Sequence, residues 1–190
     1  MNSSIIRAQD CPPQPWKNGL GTTREIAVHP SGAGAGGDDF LWRVSIAEVD
    51  SAAPFSSFPG IDRYIALLDG AGFTMTLDDD RNHALTTPFA PFAFAGEAKV
   101  AVTLADGPTR DFNLMVRRAQ ARGEVKVWHQ PGAYPLDPTI VLVYAARGEI
   151  ETDAGMLRAG DAWLARGAAA GHITLRNGAL AFAIHIQRKA

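Results

Sequence analysis

Three stretches of this chain set hydrogen-bonding and aromatic side chains at spacings that could do chemistry, and a fourth could frame them. The first runs from Trp16 to Ala27 and carries an indole, the Asn18 amide, the Thr23 hydroxyl and the Glu25 carboxylate. In the second, Leu41 to Ala47, Arg43 and Ser45 alternate with Trp42, Val44 and Ile46. In the third, Asp111, Asn113, Met115 and Arg117 alternate with Phe112, Leu114 and Val116. Side chains two residues apart on a strand share a face, so each stretch has an apolar face and a polar one. In the first, Ile26 and Val28 fall on one side, with Thr23, Glu25 and Ala27 on the other. If the polar faces turn into the lumen of a barrel, Glu25, Arg43, Ser45, Asn113 and Arg117 converge. Guanidiniums outnumbering carboxylates there would suit a ligand bearing a carboxylate, held by bidentate pairing. Glu25 would be the group able to take or give a proton. Periodicity alone leaves open whether these faces look inward or meet water. The fourth stretch, Pro54 to Arg63, is turn-rich and carries Phe55, Ser56 and Phe58. It reads either as a rim closing over a pocket or as a loop packed on a barrel end.

The elements that must position these residues are strands. Short β-rich runs bounded by Gly and Pro are expected at Thr23–Val28, Leu41–Val49, Arg63–Leu68, Phe73–Leu77, Lys99–Leu104 and Asp111–Arg117. A second set falls at Val125–Trp128, Thr139–Tyr144, Glu149–Thr152, His172–Leu175 and Leu180–Ile186. No long segment carries a 3.6-residue apolar period, though Arg117–Glu124 reads as a short helical turn. The chain also echoes itself. Gly72–Thr76 can be laid over Gly148–Thr152, and Val102–Gly107 over Ile173–Gly178, each copy leading into an alternating strand. One β unit used twice is the expectation. Asn177-Gly178 is the strongest hairpin signal, because both residues tolerate positive φ. Ser31–Asp39 is a glycine loop without the strand-then-helix context of a phosphate cradle.

Composition narrows the chemistry. The chain has 190 residues, 46% hydrophobic and 20% charged, with a formal net charge of -2. That suits a packed globular protein and offers no basic excess for nucleic acid. Cys11 is the single cysteine, so neither an internal disulfide nor a thiolate cluster is available. His29, His83, His129, His172 and His185 form neither His-x-His nor His-Glu-x-x-His, so no metal ligand set is read. No Gly-x-Ser-x-Gly elbow occurs. The N-terminus lacks the pattern of a signal peptide, and no apolar run approaches the ~18 residues of a membrane span. A cytoplasmic location is the expectation.

With these residues in view, the chain resembles the HutD/Ves family, a bacterial cytoplasmic group with a double-cupin fold. The resemblance rests on WKNGLGTTREIA (Trp16–Ala27), WRVSIAEV (Trp42–Val49), PFSSFPGIDR (Pro54–Arg63) and DFNLMVRR (Asp111–Arg118), in the family's order. It implies an all-β fold in which a double-stranded β-helix, the cupin or jelly roll, is repeated twice in one chain. The expected boundaries are 1–118 for a first half with a ligand pocket and 119–190 for a degenerate second half. It also implies that Trp16, Asn18, Thr23, Glu25, Trp42, Arg43, Ser45, Ser56, Phe58, Arg63, Asn113 and Arg117 gather around that pocket. In the second half, Gly160-Asp161 with Gly167, Gly171 and His172 looks like a decayed cupin motif, and the first cupin metal motif is absent. Where the family reads Asn-Gly-Gly-Gly, this chain has Asn18-Gly19-Leu20-Gly21. Leu20 is expected to take an ordinary backbone conformation and to alter loop packing or pocket shape.

The family's name points to histidine utilisation. The resemblance therefore implies a metal-independent, cofactor-free module that binds a small carboxylate, such as urocanate or a formylated or formiminated glutamate, and tunes that pathway. An isomerase or hydrolase using Glu25 in the same pocket is the alternative. Neither nucleic acid nor membrane is an expected partner, and a homodimer is compatible with both readings.

Overall fold

The structure, a computed structural model, describes residues 3–16, 18–33 and 39–189. Residues 34–38 of the glycine loop lie outside the described residues. Among the described residues every regular element is a strand except one 3-10 turn at Ala8–Asp10. It divides into two units, one of Pro12–Ala121, the other of the segment ending at Cys11 joined by the chain from Arg122 onward. The chain opens with β1 (Ser3–Ile6), which belongs to the second of these.

The Pro12–Ala121 unit holds β2 (Gln14–Pro15), β3 (Gly21–His29), β4 (Trp42–Val49), β5 (Ile61–Asp69), β6 (Phe73–Leu77), β7 (Arg81–Leu85), β8 (Phe92–Ala95), β9 (Val100–Leu104) and β10 (Thr109–Arg117). Its large sheet runs β2-β3-β4-β10-β5-β8 and its small sheet β7-β6-β9. One core joins the two: Ile65, Leu67 and Phe94 from the large sheet pack with Phe73, Met75, Leu77, Leu85 and Val100 from the small one. Residues directly opposite in a ladder point to the same side. Asn113 faces Ile65, Asp111 faces Leu67 and Arg63 faces Phe94. The polar face of β10 is therefore the one that looks into the unit. The apolar rows, Trp42, Val44 and Ile46 with Phe112, Leu114 and Val116, lie on the opposite face and are also nearly solvent-free.

The other unit adds β11 (Ala121–Trp128), β12 (Gly132–Pro135), β13 (Ile140–Arg147), β14 (Ile150–Thr152), β15 (Gly155–Leu157), β16 (Ala162–Ala165), β17 (His172–Leu175) and β18 (Leu180–Arg188). Its sheets run β1-β16-β13-β18-β11 and β12-β17-β14-β15. The order β4-β10-β5-β8 in the first unit corresponds to β11-β18-β13-β16 here, and β7-β6-β9 to β15-β14-β17. The echoed sequence segments fall on β6 and β14, and on β9 and β17, so they occupy equivalent places.

Four expectations need correction. Residues 1–11 do not belong with the first half: β1 pairs with β16, Ser3 Oγ donates to both oxygens of Asp153 (3.0 and 2.9 Å), and Arg7 Nη1 donates to Asp161 (2.6 Å). An edge strand left bare would expose a row of unpaired backbone groups, which β1 covers on β16. Arg117–Glu124 is not helical. It is the end of β10, a turn closed by Gln120 N–H donating to Arg117 O (3.0 Å), and the start of β11, whose burial alternates with period two. The Asn177-Gly178 turn forms, with Gly178 at φ 76, but its flanking strands β17 and β18 lie in different sheets. Their apolar faces cover one core from two sides, so the turn makes an arch rather than a hairpin. Finally, β3 carries a bulge between Glu25 and Ala27, so Val28 faces Arg43 and Ala27 faces Val44, the reverse of simple alternation.

Candidate functional site

The inner face of the first unit's large sheet is organised in rows. Glu25, Ser45 and Asn113 stand directly across from one another on β3, β4 and β10. The next row holds Arg43, Met115 and Arg63, with Val28 beside Arg43. On the other flank come Thr23, Ala47 and Asp111. The bulge in β3 lets Glu25 and Val28 share this face despite their odd spacing, and so sets a carboxylate beside the arginine row.

Arg63 dominates the electrostatics. It is 6% exposed, and its guanidinium lies over the rings of Phe94 (4.9 Å), Phe55 (5.0 Å) and Phe58 (5.5 Å). Nη2 donates to Asn113 Oδ1 (3.2 Å), whereas Nε is buried without a partner among the described residues. Among the described residues no carboxylate pairs with it. Burial first, and the neighbouring Arg43 second, pull its pKa down to about 10, so it remains a cation at neutral pH. Arg43 by contrast is neutralised, with Nε donating to Glu25 Oε2 (2.9 Å) in a partly exposed pair.

Around this centre, Trp16 Nε1 donates to Thr23 Oγ1 (2.8 Å), and the indole lies over Gly21, where a Cβ would sit 3.0 Å from the ring. Arg117 extends the β10 face beyond Met115. Its Nε donates to Phe40 O (3.0 Å) and its Nη2 is buried without a partner among the described residues. Phe58 packs with both Arg63 and the cluster of Phe40, Ile61 and Met115. The structure thus brings together Glu25, Arg43, Ser45, Arg63 and Asn113, flanked by Trp16, Thr23, Phe58 and Arg117.

Three expected members stand apart. Trp42 is on the opposite face of β4, stacked on His29 at 5.9 Å, because a strand sends successive side chains to opposite sides. Asn18 is exposed in the turn before β3, where its Oδ1 accepts from Leu20 N–H (3.0 Å). Positive φ falls there on Gly19, at 70°, and Leu20 takes an ordinary conformation. Ser56 is exposed in the Pro54–Arg63 loop.

Sequence reasoning passed over Asp111, Phe55 and Phe94 as site residues. Asp111 is 1% exposed; Oδ2 accepts from Thr109 Oγ1 (3.1 Å) and Oδ1 is buried with no partner among the described residues. Burial pushes its pKa up to about 7, against the smaller opposing effect of the Thr109 hydrogen bond. Its place on the Asn113 alternation was the signal available. Phe94 carried none, since Phe92-Ala-Phe94 reads as a featureless apolar run. The donor set does not fit a metal: among the described residues no three His, Cys, Asp or Glu gather at ligand spacing, and the Glu25 carboxylate already pairs with Arg43.

Comparison with known proteins agrees with this architecture. The family model described as HutD matches residues 8–182. The structure of HutD from Pseudomonas fluorescens superposes with a TM-score of 0.85 at 32% identity, covering 99% of this chain and 100% of that one. An uncharacterized 21.2 kDa protein in the hutC 3' region of Pseudomonas putida is 37% identical over 77% of this chain and 75% of its own length. Protein Ves of Cronobacter sakazakii is 42% identical over 59% of each chain. A cupin 2 conserved barrel protein of Leptotrichia buccalis matches at TM-score 0.55 and 9% identity over 88% of each chain, a likeness of fold alone. The fold is all-β and cupin-like, and no helix among the described residues is long and apolar enough to cross a membrane. Matched along nearly its whole length, the chain belongs to the HutD family.

Proposed function

We propose that this protein is a metal-independent binding module for a small carboxylate metabolite, held inside the Pro12–Ala121 unit, and that it tunes histidine utilisation from the cytoplasm. One observation carries the reading: Arg63 is a buried cation with no carboxylate partner among the described residues, its Nη2 bonded only to an amide and its Nε to nothing. Leaving a charge buried and unpaired costs several kcal/mol, a cost that an incoming carboxylate removes. The cage of Phe55, Phe58 and Phe94 orients the guanidinium, and Asn113 occupies one edge of it. Bidentate pairing needs two N–H groups in a fixed fork, and Nε is unclaimed.

The link to histidine utilisation leans on the family's name and on the Pseudomonas putida relative's hutC neighbourhood. Urocanate and formylated or formiminated glutamate are the ligands to try first. Glu25 supports binding over proton transfer, because its Oε2 already accepts from Arg43 Nε in a partly exposed ion pair. A ligand that binds only the folded state raises its stability by about 2.7 kcal/mol at a hundred times Kd. A thermal-shift series with these acids at millimolar concentration should therefore raise Tm by several degrees for at least one. No shift with any of them sinks the proposal. Turnover of a bound acid, followed by NMR, would move the reading to catalysis.

A further inference from the structure

We infer that Asp111 reads the far end of the ligand, accepting a hydrogen bond from an N–H group that lies about one strand row, some 7 Å, from the ligand's carboxylate. This rests on the reading of Arg63 as the carboxylate anchor. The Arg63 guanidinium reaches Asn113 Oδ1 at 3.2 Å, so the anchor sits at the Asn113 row. Asp111 is the next residue along the same face of β10 and stands across from Ala47 on one side and Leu67 on the other. Residues paired in this way hold their Cβ atoms about 4.5–5.5 Å apart. Ala47 is partly exposed, with only a methyl group to fill its place in the row. A ligand atom resting on that methyl therefore lies beside the Asp111 carboxyl.

The carboxyl is not a completed structural bond. Thr109 satisfies Oδ2, and Oδ1 is buried with no partner among the described residues. Buried polar atoms in native proteins are nearly always hydrogen-bonded, and a purely structural aspartate at this place would have both oxygens engaged. Across the row it meets the Ala47 methyl and the Leu67 side chain, neither of which can donate, and the neighbouring Asn113 Nδ2 donates to the Asp111 backbone O (3.5 Å) rather than to the carboxyl. Burial holds the proton on Asp111 up to about pH 7, and an N–H donor arriving at Oδ1 favours the ionised form that binds it best. The expected class of ligand is a short acid that carries an amide, amidine or ring N–H at the other end of a three- or four-atom spacer.

The test uses two acids that differ by one group, glutaramate (a terminal NH2) and 5-oxohexanoate (a methyl in its place). Their affinities for the full chain are measured at pH 8 by NMR titration. The wild type should favour glutaramate by about tenfold or more, since a site built to hydrogen-bond an N–H leaves its acceptor unpaired with the analogue. Asp111→Leu should bring that ratio to about one while 5-oxohexanoate binds within about threefold of wild type. Asp111→Asn, isosteric and safe for folding, should lower the ratio by at least about threefold. A wild-type ratio near one, or an undiminished ratio in both variants, overturns the role of Asp111 while leaving the carboxylate anchor standing. Failure of the wild type to bind either acid, with folding intact, overturns the anchor and this inference with it.

Discussion

The two units share a strand order and differ in what they put inside it. In the first, β10 and its neighbours turn Asp111, Asn113, Arg63, Ser45 and Glu25 inward. In the second, the equivalent β18 turns Ala181 and Ala183 inward, beside Val143 and Ala145 on β13. Trp128, Trp163, Ile150, Leu157, Ile173 and Leu175 fill the rest of that interior. An apolar interior closes on itself and supplies the stability of its unit, at roughly 25 cal/mol per Å² of apolar surface buried. A polar interior that keeps an unpaired guanidinium and a half-satisfied carboxyl gives some of that up. One frame thus serves either as a packed body or as a receptacle, according to which residues occupy a few alternate positions on its central strands. Of the second unit's buried polar groups, His185 lies on β18 two residues beyond Ala183, with Nδ1 2.8 Å from Thr139 Oγ1; the others sit at the edge, where Asp153 receives Ser3 and Trp163, and Asp161 receives Arg7 and the Ala8 backbone N–H.

The contrast can be broken from the packed side first. Ala183 faces Val143 as Asn113 faces Ile65. Ala183→Asn would put a larger side chain and an unpartnered amide in a filled core, and should destabilise the protein by about 3–5 kcal/mol in chemical denaturation. A loss under 1 kcal/mol would mean the second interior has room to hold a polar ligand, and the contrast would dissolve. From the open side, Arg63→Met keeps the apolar stem of the side chain and removes the charge. Affinity for the carboxylate ligand should drop by about a hundredfold, or about 2.7 kcal/mol, with the fold retained because no ion pair is broken. Retained affinity would hand the anchor to Arg43 or Arg117.

The smallest expected effect sharpens the comparison through pH. Asp111 holds its proton more tightly folded, at about 7, than the ~3.9 of an unfolded aspartate. Its contribution to stability is therefore whole below about pH 4 and is lost as pH rises through about 7. Asp111→Asn carries no charge at any pH, and should stabilise the ligand-free protein by roughly 1–3 kcal/mol at pH 8 and by little at pH 4. Equal effects at both values would show that Asp111 ionises freely when folded. A buried group kept at such a cost fits a binding role better than a packing one.

Much of this was legible in the residues. The alternation in Leu41–Ala47 and Asp111–Arg117 named the strands and their two faces, and the expected run Phe73–Leu77 is β6 residue for residue. The self-echo located equivalent strands in both units, because turn chemistry and apolar period repeat with the frame. Short strands such as Arg81–Leu85 and Gly155–Leu157 were not legible, since neither alternates cleanly and both are held by their neighbours. Site residues were readable where polar groups recur every second position, and unreadable where the partner is an aromatic ring from a distant loop, as with Phe55 and Phe94 around Arg63.

By itself the sequence determined the class of fold, the strands that carry the polar groups and the excess of guanidinium over carboxylate among them. These depend on side-chain period and type, which are local. Tertiary structure decided which face of those strands is enclosed, because that turns on which side the small sheet packs. It decided that β1 serves the second unit and that a bulge in β3 turns Val28 inward, both matters of register across the chain. It also decided that Arg43 is neutralised and Arg63 is not. Two arginines on neighbouring parts of one face thus differ in burial, in the aromatic rings around them and in whether a carboxylate lies within reach.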